Sequence, residues 1–208
     1  MIRVAALVGD YWHSGDDAKA GLEAAIKRLP DKEIYVQYIT HEEVSQVLDE
    51  QPDLFINAKM NVLNPKDEQK ITWLSDEVDR KIERYVNEGG SVLAWHAGMA
   101  GYPSQSKYTK MLRGAFDYHP PGLQDVTYIQ NDKTFSLSDE HYFVHCDVEN
   151  TEVYLRSSGE AGDSIAGWQH SYGKGKVCCF TPAHTKEGLL NENISCLLAD
   201  KIDWMFTR

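Results

Sequence analysis

The sequence predicts an α/β fold: a doubly wound, mostly parallel sheet with helices on both faces and an added β-rich C-terminal portion. Two observations carry this. From Arg3 to Trp95, short apolar runs alternate with helical patterns, as right-handed βαβ units require. After about Gly122 the helical patterns thin out and short strand-like pieces follow one another. With 208 residues, 42% of them hydrophobic, the chain is expected to form one domain, taking about 150 residues per domain as a soft prior.

Taken in order, residues 3–8 form an apolar, β-branched run that stops at Gly9, as a fully buried parallel strand would. A helix over about 16–28 places Ala18, Leu22, Ala25 and Ile26 near helical spacing, and Pro30-Asp31 breaks it. Residues 34–39 read as the second strand, 42–48 as a short helix and 53–58 as the third strand. A long amphipathic helix over 76–87 carries Val78, Ile82, Tyr85 and Val86 on one side and stops at Gly89-Gly90. Residues 91–95 form the fourth strand. Strand-like pieces follow at 126–129, 135–137, 142–146, 153–155, 165–170 and 177–181, the last two joined by Gly173-Lys174-Gly175-Lys176 as a hairpin. A final helix is expected from about Gly188 to Phe206. The stretch from Asn61 to Trp73 fits no element and is a candidate lid.

The 21 basic and 32 acidic residues leave a net charge of -11, with no basic run, which argues against nucleic acid or an anionic membrane as partner. No apolar stretch reaches the roughly 18 residues of a membrane span, and the N-terminus lacks the pattern of a secretory signal. A cytoplasmic protein is expected. Cys146, Cys178, Cys179 and Cys196 form no CxxC pair and read as reduced, mostly buried thiols.

In open parallel sheets, ligands bind beyond the carboxyl ends of the strands. Those positions hold Asp10, Tyr11, Trp12 and His13 after the first strand, Lys59, Met60 and Asn61 after the third, His96-Ala97-Gly98 after the fourth, and Ala183-His184 after the last. Polar and aromatic groups from distant segments therefore meet at one edge.

Several runs in this chain resemble the ThuA-like (trehalose utilisation) family. They are LRGAFDYHPPGLQ from Leu112 to Gln124, Trp95-His96-Ala97-Gly98 after the Gly-Gly stop, Asp139-Glu140-His141-Tyr142, and WQHSYGKGKV from Trp168 with Ala183-His184 behind it. They occur in the family's order between Gly89 and Met205. The resemblance implies a flavodoxin-like, class I glutamine amidotransferase-like fold and a role in trehalose-type disaccharide utilisation. Glutamine amidotransferases of this fold carry a nucleophilic Cys where this chain has His96, and the four cysteines all follow residue 145. Glutaminase chemistry, which needs a thiolate beside a His, is excluded on that reading.

The resemblance, taken with the polar and aromatic groups at the strand ends, implies a ThuA-like protein acting on a trehalose-type disaccharide or keto-sugar. His96 is the candidate acid/base group, with Glu140 or His184 orienting it. Asp10, Trp12, His13, His119, Asp139, Tyr142 and Trp168 are the candidate sugar-binding residues, aromatic faces stacking on the ring and carboxylates meeting hydroxyls. Each also has a plainer reading: Trp168 as core, Asp139 as a turn cap, His119 as part of the stiff His-Pro-Pro segment. His170 reads as an exposed strand residue. A non-catalytic sugar-binding or regulatory module is one alternative. A metal-dependent hydrolase is another, with a divalent ion such as zinc drawing on His96, Glu140, His184 and either Asp10 or His13, although no HxxxH or HExxH spacing marks it. The expected partner is a small carbohydrate; the sheet edge and the C-terminal helix are the surfaces on which a homo-oligomer would form.

Overall fold

The computed structural model describes residues 1–207. The first half reads β1 (Ile2–Val8), α1 (Gly15–Ile26), β2 (Ile34–Ile39), α2 (Val44–Asp49), β3 (Leu54–Ala58), α3 (Asp76–Glu88) and β4 (Ser91–Trp95). A 3-10 turn (His96–Met99) and α4 (Lys107–Leu112) follow. Then come β5 (Gly114–Tyr118), β6 (Gln124–Gln130), β7 (Lys133–Asp139), β8 (Phe143–Cys146), β9 (Glu152–Gly159), β10 (Gly162–Tyr172), β11 (Gly175–Phe180), α5 (Lys186–Leu189) and α6 (Glu192–Phe206).

Among the described residues, nine strands form one sheet in the order β2-β1-β3-β4-β11-β10-β9-β6-β7, and β5 pairs with β8 apart from it. The first five strands of that order are mutually parallel. From β11 onwards every pair is antiparallel. The sheet is thus mixed rather than mostly parallel, because the later strands extend the parallel half edge to edge.

Side chains alternate across a strand, and here the alternation sorts the core into two layers. Val4, Ala6, Leu54, Ile56, Leu93, Trp95, Cys178 and Phe180 face the layer that takes Leu22 of α1 and Ile194, Leu198 and Ile202 of α6. Ala5, Leu7, Phe55, Val92, Ala94, Val177 and Cys179 face the layer that takes Val44 of α2, Ile82 and Val86 of α3 and Met111 of α4. Each fully buried aliphatic chain stabilises the fold by about 1.5–3 kcal/mol. Adjacent Cys178 and Cys179 therefore lie in opposite layers, and all four cysteines are free thiols.

Helix starts follow local chemistry: the Ser14 side chain accepts the amide of Asp17, and that of Ser75 accepts Val78, each satisfying a first-turn donor. The single C-terminal helix expected from the sequence is two, because Asn191 caps a new start at α6 by accepting the amide of Asn193. The stretch from Asn61 to Trp73 is a pinned loop: Leu63 donates to the Ile71 carbonyl, and the buried Trp73 indole donates to Met60. Among the described residues, no helix is long and apolar enough to cross a membrane.

Candidate functional site

Four strand ends build the site. After β1, Gly9 turns the chain at a φ of +85°, and a Cβ there would meet the Cα of Gly15 at 2.9 Å. The next residue, Asp10, closes an Asx-type turn: its Oδ1 accepts the amides of Trp12 and His13, while Oδ2 accepts that of Met60 at the end of β3. The same Oδ1 lies 2.6 Å from Nδ1 of His13. Burial pushes the Asp10 carboxyl up, but His13 and these amides outweigh it and hold it below the usual range. Burial likewise lowers His13, partly offset by Asp10.

After β4 the chain turns sharply, and His96 takes a left-handed φ of +46°. That conformation costs a non-glycine residue roughly 1–2 kcal/mol. Two contacts hold it there: Nδ1 donates to the Thr181 carbonyl at 2.6 Å, and the ring stacks on Tyr142 with centroids 4.2 Å apart. Gly98 lets this turn lie against β3, since a Cβ would sit 1.9 Å from the Asn57 carbonyl. Beneath it, Asn57 donates to both Tyr102 and Tyr108, whose hydroxyls donate on to the carbonyls of Lys59 and Gly98.

The far edge strand β7 ends beside the segment following β11. Asp139, wholly buried, accepts the Tyr128 hydroxyl at 2.7 Å and the amides of Glu140 and His184. It therefore sets the backbone on which both neighbouring groups hang. Oε2 of Glu140 lies 3.2 Å from Nδ1 of His184, 3.5 Å from Nε2 of His96 and 3.8 Å from Nε2 of His119. Burial pushes the Glu140 carboxyl up, but His184 and His96 outweigh it and hold it well below the carboxylate range. The Glu140 contact in turn raises His184, against the effect of burial.

Above this cluster opens a cavity of about 410 Å³ lined by Trp12, His13, Met60, Ala100, Phe116, His119, Glu140, Tyr142 and His184. A larger depression of about 530 Å³ lies at the opposite strand ends, but its Lys176 ammonium is committed to the carbonyls of Trp204 and Thr207.

Six of the residues singled out in the sequence thus line the cavity: Trp12, His13, His119, Glu140, Tyr142 and His184. His96 sits beneath it, 4% exposed. Asp10 and Asp139 are turned inward, holding other groups in place rather than meeting a ligand. Trp168 is core: it is fully buried and its indole donates to the Leu112 carbonyl. His170 is buried too, not exposed, because α4 lays the Met111 carbonyl over its Nε2 at 2.9 Å. Sequence reasoning placed Met60 at this edge but missed Phe116 and Ala100 on the wall, and Thr181, which works through its carbonyl and so leaves no side-chain signal.

A family model named ThuA, described as trehalose utilisation, matches residues 7–205. The chain belongs to the ThuA family. No protein of curated function matches it. Among solved structures, it is similar to a protein described as ThuA-like from Parabacteroides merdae, with a TM-score of 0.71 and 13% identity over 98% of this chain and 89% of that one. It is similar to a cytoplasmic protein of Salmonella typhimurium LT2, with a TM-score of 0.64 and 13% identity over 98% and 99% of the two chains. It also resembles part of the β-galactosidase from Rahnella sp. R3, with a TM-score of 0.64 and 13% identity, spanning 32% of that enzyme and 100% of this chain. At such identities the likeness shows the fold, and the ThuA match places the cluster around Glu140 within the matched region.

Proposed function

We propose that this ThuA family member works in carbohydrate utilisation, binding a keto-sugar or trehalose-type disaccharide in the strand-end cavity and moving a proton on it. The observation that carries this reading is the Glu140 carboxylate, with three imidazoles within 3.8 Å of its Oε2, on the floor of a cavity walled by Trp12, Phe116 and Tyr142. A cavity of about 410 Å³ falls in the range of small-ligand sites, and aromatic faces suit the apolar faces of a sugar ring.

On a keto-sugar, the cluster removes the proton from the carbon beside the carbonyl. The C–H electron pair moves into the new C=C bond, and the carbonyl oxygen takes a proton to give an enediol. Glu140, His184 and His119 face the cavity and supply the acid and base; His96 steadies Glu140 from below. Positioned acid/base groups contribute on the order of 10²–10⁴ each. The parallel strand order β2-β1-β3-β4-β11 supports a flavodoxin-like, amidotransferase-like core. With His96 at the turn after β4, the core lacks a thiol for glutaminase chemistry. The free thiols, and the Salmonella neighbour described as cytoplasmic, support a cytoplasmic location.

The test is a panel of disaccharides and keto-sugars, followed by ligand-observed NMR for binding and by product formation. Glu140→Gln is expected to bind the responsive sugar but fail to convert it. Wild-type protein that binds a sugar and converts none overturns the catalytic part and leaves a sugar-binding module.

A further inference from the structure

We infer that the floor of this cavity is a divalent-cation site, with one atom each from His13, His96, Glu140 and His184 as ligands. The inference deepens the carbohydrate reading and rests on it only for what the cation acts upon; the site itself stands on side-chain geometry.

The four ligand atoms all lie within 4.8 Å of one another. They come from the segments after β1, β4, β7 and β11, so the set exists only in the folded chain. Three imidazole nitrogens there are buried without a hydrogen-bond partner: Nε2 of His13, Nε2 of His96 and Nδ1 of His184. The His96 side chain is 6% exposed. Buried polar atoms left unpaired are rare in folded proteins, and three converging on one carboxylate call for a shared partner.

The opposite nitrogens are already fixed. Nδ1 of His96 faces the Thr181 carbonyl at 2.6 Å, and since a carbonyl only accepts, that nitrogen carries the proton. In the neutral ring Nε2 then presents a lone pair toward the Glu140 carboxylate 3.5 Å away. Two electron-rich atoms so placed repel unless a positive charge lies between them. Nδ1 of His13 is held in the same manner by Asp10, which turns Nε2 inward. A carboxylate or carbonyl behind the imidazole is the usual support of a metal-binding histidine.

Spacing fits as well. Ligand atoms roughly 2.0–2.1 Å from a tetrahedral ion stand about 3.4 Å apart. Glu140 Oε2 is 3.2 Å from Nδ1 of His184 and 3.5 Å from Nε2 of His96. Three imidazoles and one carboxylate suit zinc, manganese or cobalt. With a fifth position open toward the cavity, such an ion would polarise a sugar carbonyl or acidify a bound water, and that water, beside His119, would take over the proton transfer from the ligating Glu140 and His184.

The experiment strips the full-length protein with a chelator, removes the chelator by dialysis, and titrates Zn²⁺, Mn²⁺ or Co²⁺ by calorimetry, with the Co²⁺ visible spectrum as a second readout. One saturable equivalent per chain is expected. His13→Ala and Glu140→Gln should each weaken it by about 10–100-fold or more, and Asp10→Asn by about 10-fold. Exposed His145, replaced by Ala, should leave it unchanged. Circular dichroism on each variant reports folding, and the two single variants do not depend on the strained His96 turn. No saturable binding of any of the three ions, or a His13→Ala/Glu140→Gln double variant that keeps the full equivalent, overturns the site. Sugar binding measured beside the ion titrations separates the two ideas: protein that binds a sugar but none of the three ions overturns only the cation site, and protein that binds an ion but no sugar overturns only the carbohydrate reading.

Discussion

Asp139, at the end of the far edge strand β7, accepts the backbone amide of His184 at 2.8 Å, joining that edge of the sheet to the segment after its central strand β11 at the cavity. The pairing explains how Glu140 and His184, 44 positions apart, come to share a floor. Burial pushes the Asp139 carboxyl up, and the Tyr128 hydroxyl and two amides crowd its oxygens. Asp139→Ala orphans all three donors and should cost about 1–3 kcal/mol or more in urea unfolding. Conversion of the sugar should fall with it. Asp139→Asn keeps an acceptor for the amides and should recover part of both.

Gly98→Ala tests the close approach of the His96 turn to β3. The added Cβ would lie 1.9 Å from the Asn57 carbonyl, which is backbone and cannot swing away. Overpacking of this kind costs about 1–3 kcal/mol, sometimes more. The melting temperature should drop, and ligand affinity should drop further than stability alone accounts for, because His96 moves with the turn.

Trp168→Phe distinguishes core from binding site. The indole donates to Leu112 in a fully buried layer, and Trp168 does not line the cavity. Losing that donor and some volume should lower stability by about 1–3 kcal/mol. Sugar affinity, measured below the unfolding transition, should stay at the wild-type value.

His170 sets a pH dependence of stability. Burial pulls its pKa down to about 4, with Arg113 lowering it further and the Met111 carbonyl and Asp147 opposing. The unfolded residue titrates near 6.5. Between these values the unfolded chain binds more protons than the folded one, so stability falls as pH drops from about 6.5 to about 4 and levels off below. The loss attributable to this residue is on the order of 3 kcal/mol. His170→Gln keeps a donor for Met111 without titrating. Urea midpoints at pH 7 and pH 4.5 should therefore differ less in that variant than in wild type; equal pH sensitivity would remove His170 from the explanation.

The parallel half was legible because its strands are buried on both faces and so read as continuous apolar runs; residues 91–95 coincide with β4, and 3–8 and 53–58 differ from β1 and β3 by one residue each. The segment of α4 and β5 was not, since a six-residue helix has too few turns for a period, and β5 pairs only with β8. The burial of His170 depends on α4, 59 residues earlier, which no local pattern reveals. At the site, strand-end logic located His13, His96 and His184, while Glu140 came from the family-like motif at Asp139-Glu140-His141-Tyr142. It could not separate a carboxylate that meets a ligand from one that positions its neighbours, as Asp10 and Asp139 do, because both look the same in sequence.

The central claim is that the cluster around Glu140 moves a proton on a bound sugar. The most direct measurement is hydrogen–deuterium exchange at the carbon beside the carbonyl, followed by proton NMR of a bound keto-sugar in D₂O. Wild-type protein should accelerate the exchange above the buffer rate, and Glu140→Gln should return it to that rate while the sugar still binds. A keto-sugar that saturates the cavity yet exchanges no faster than in buffer would contradict the account.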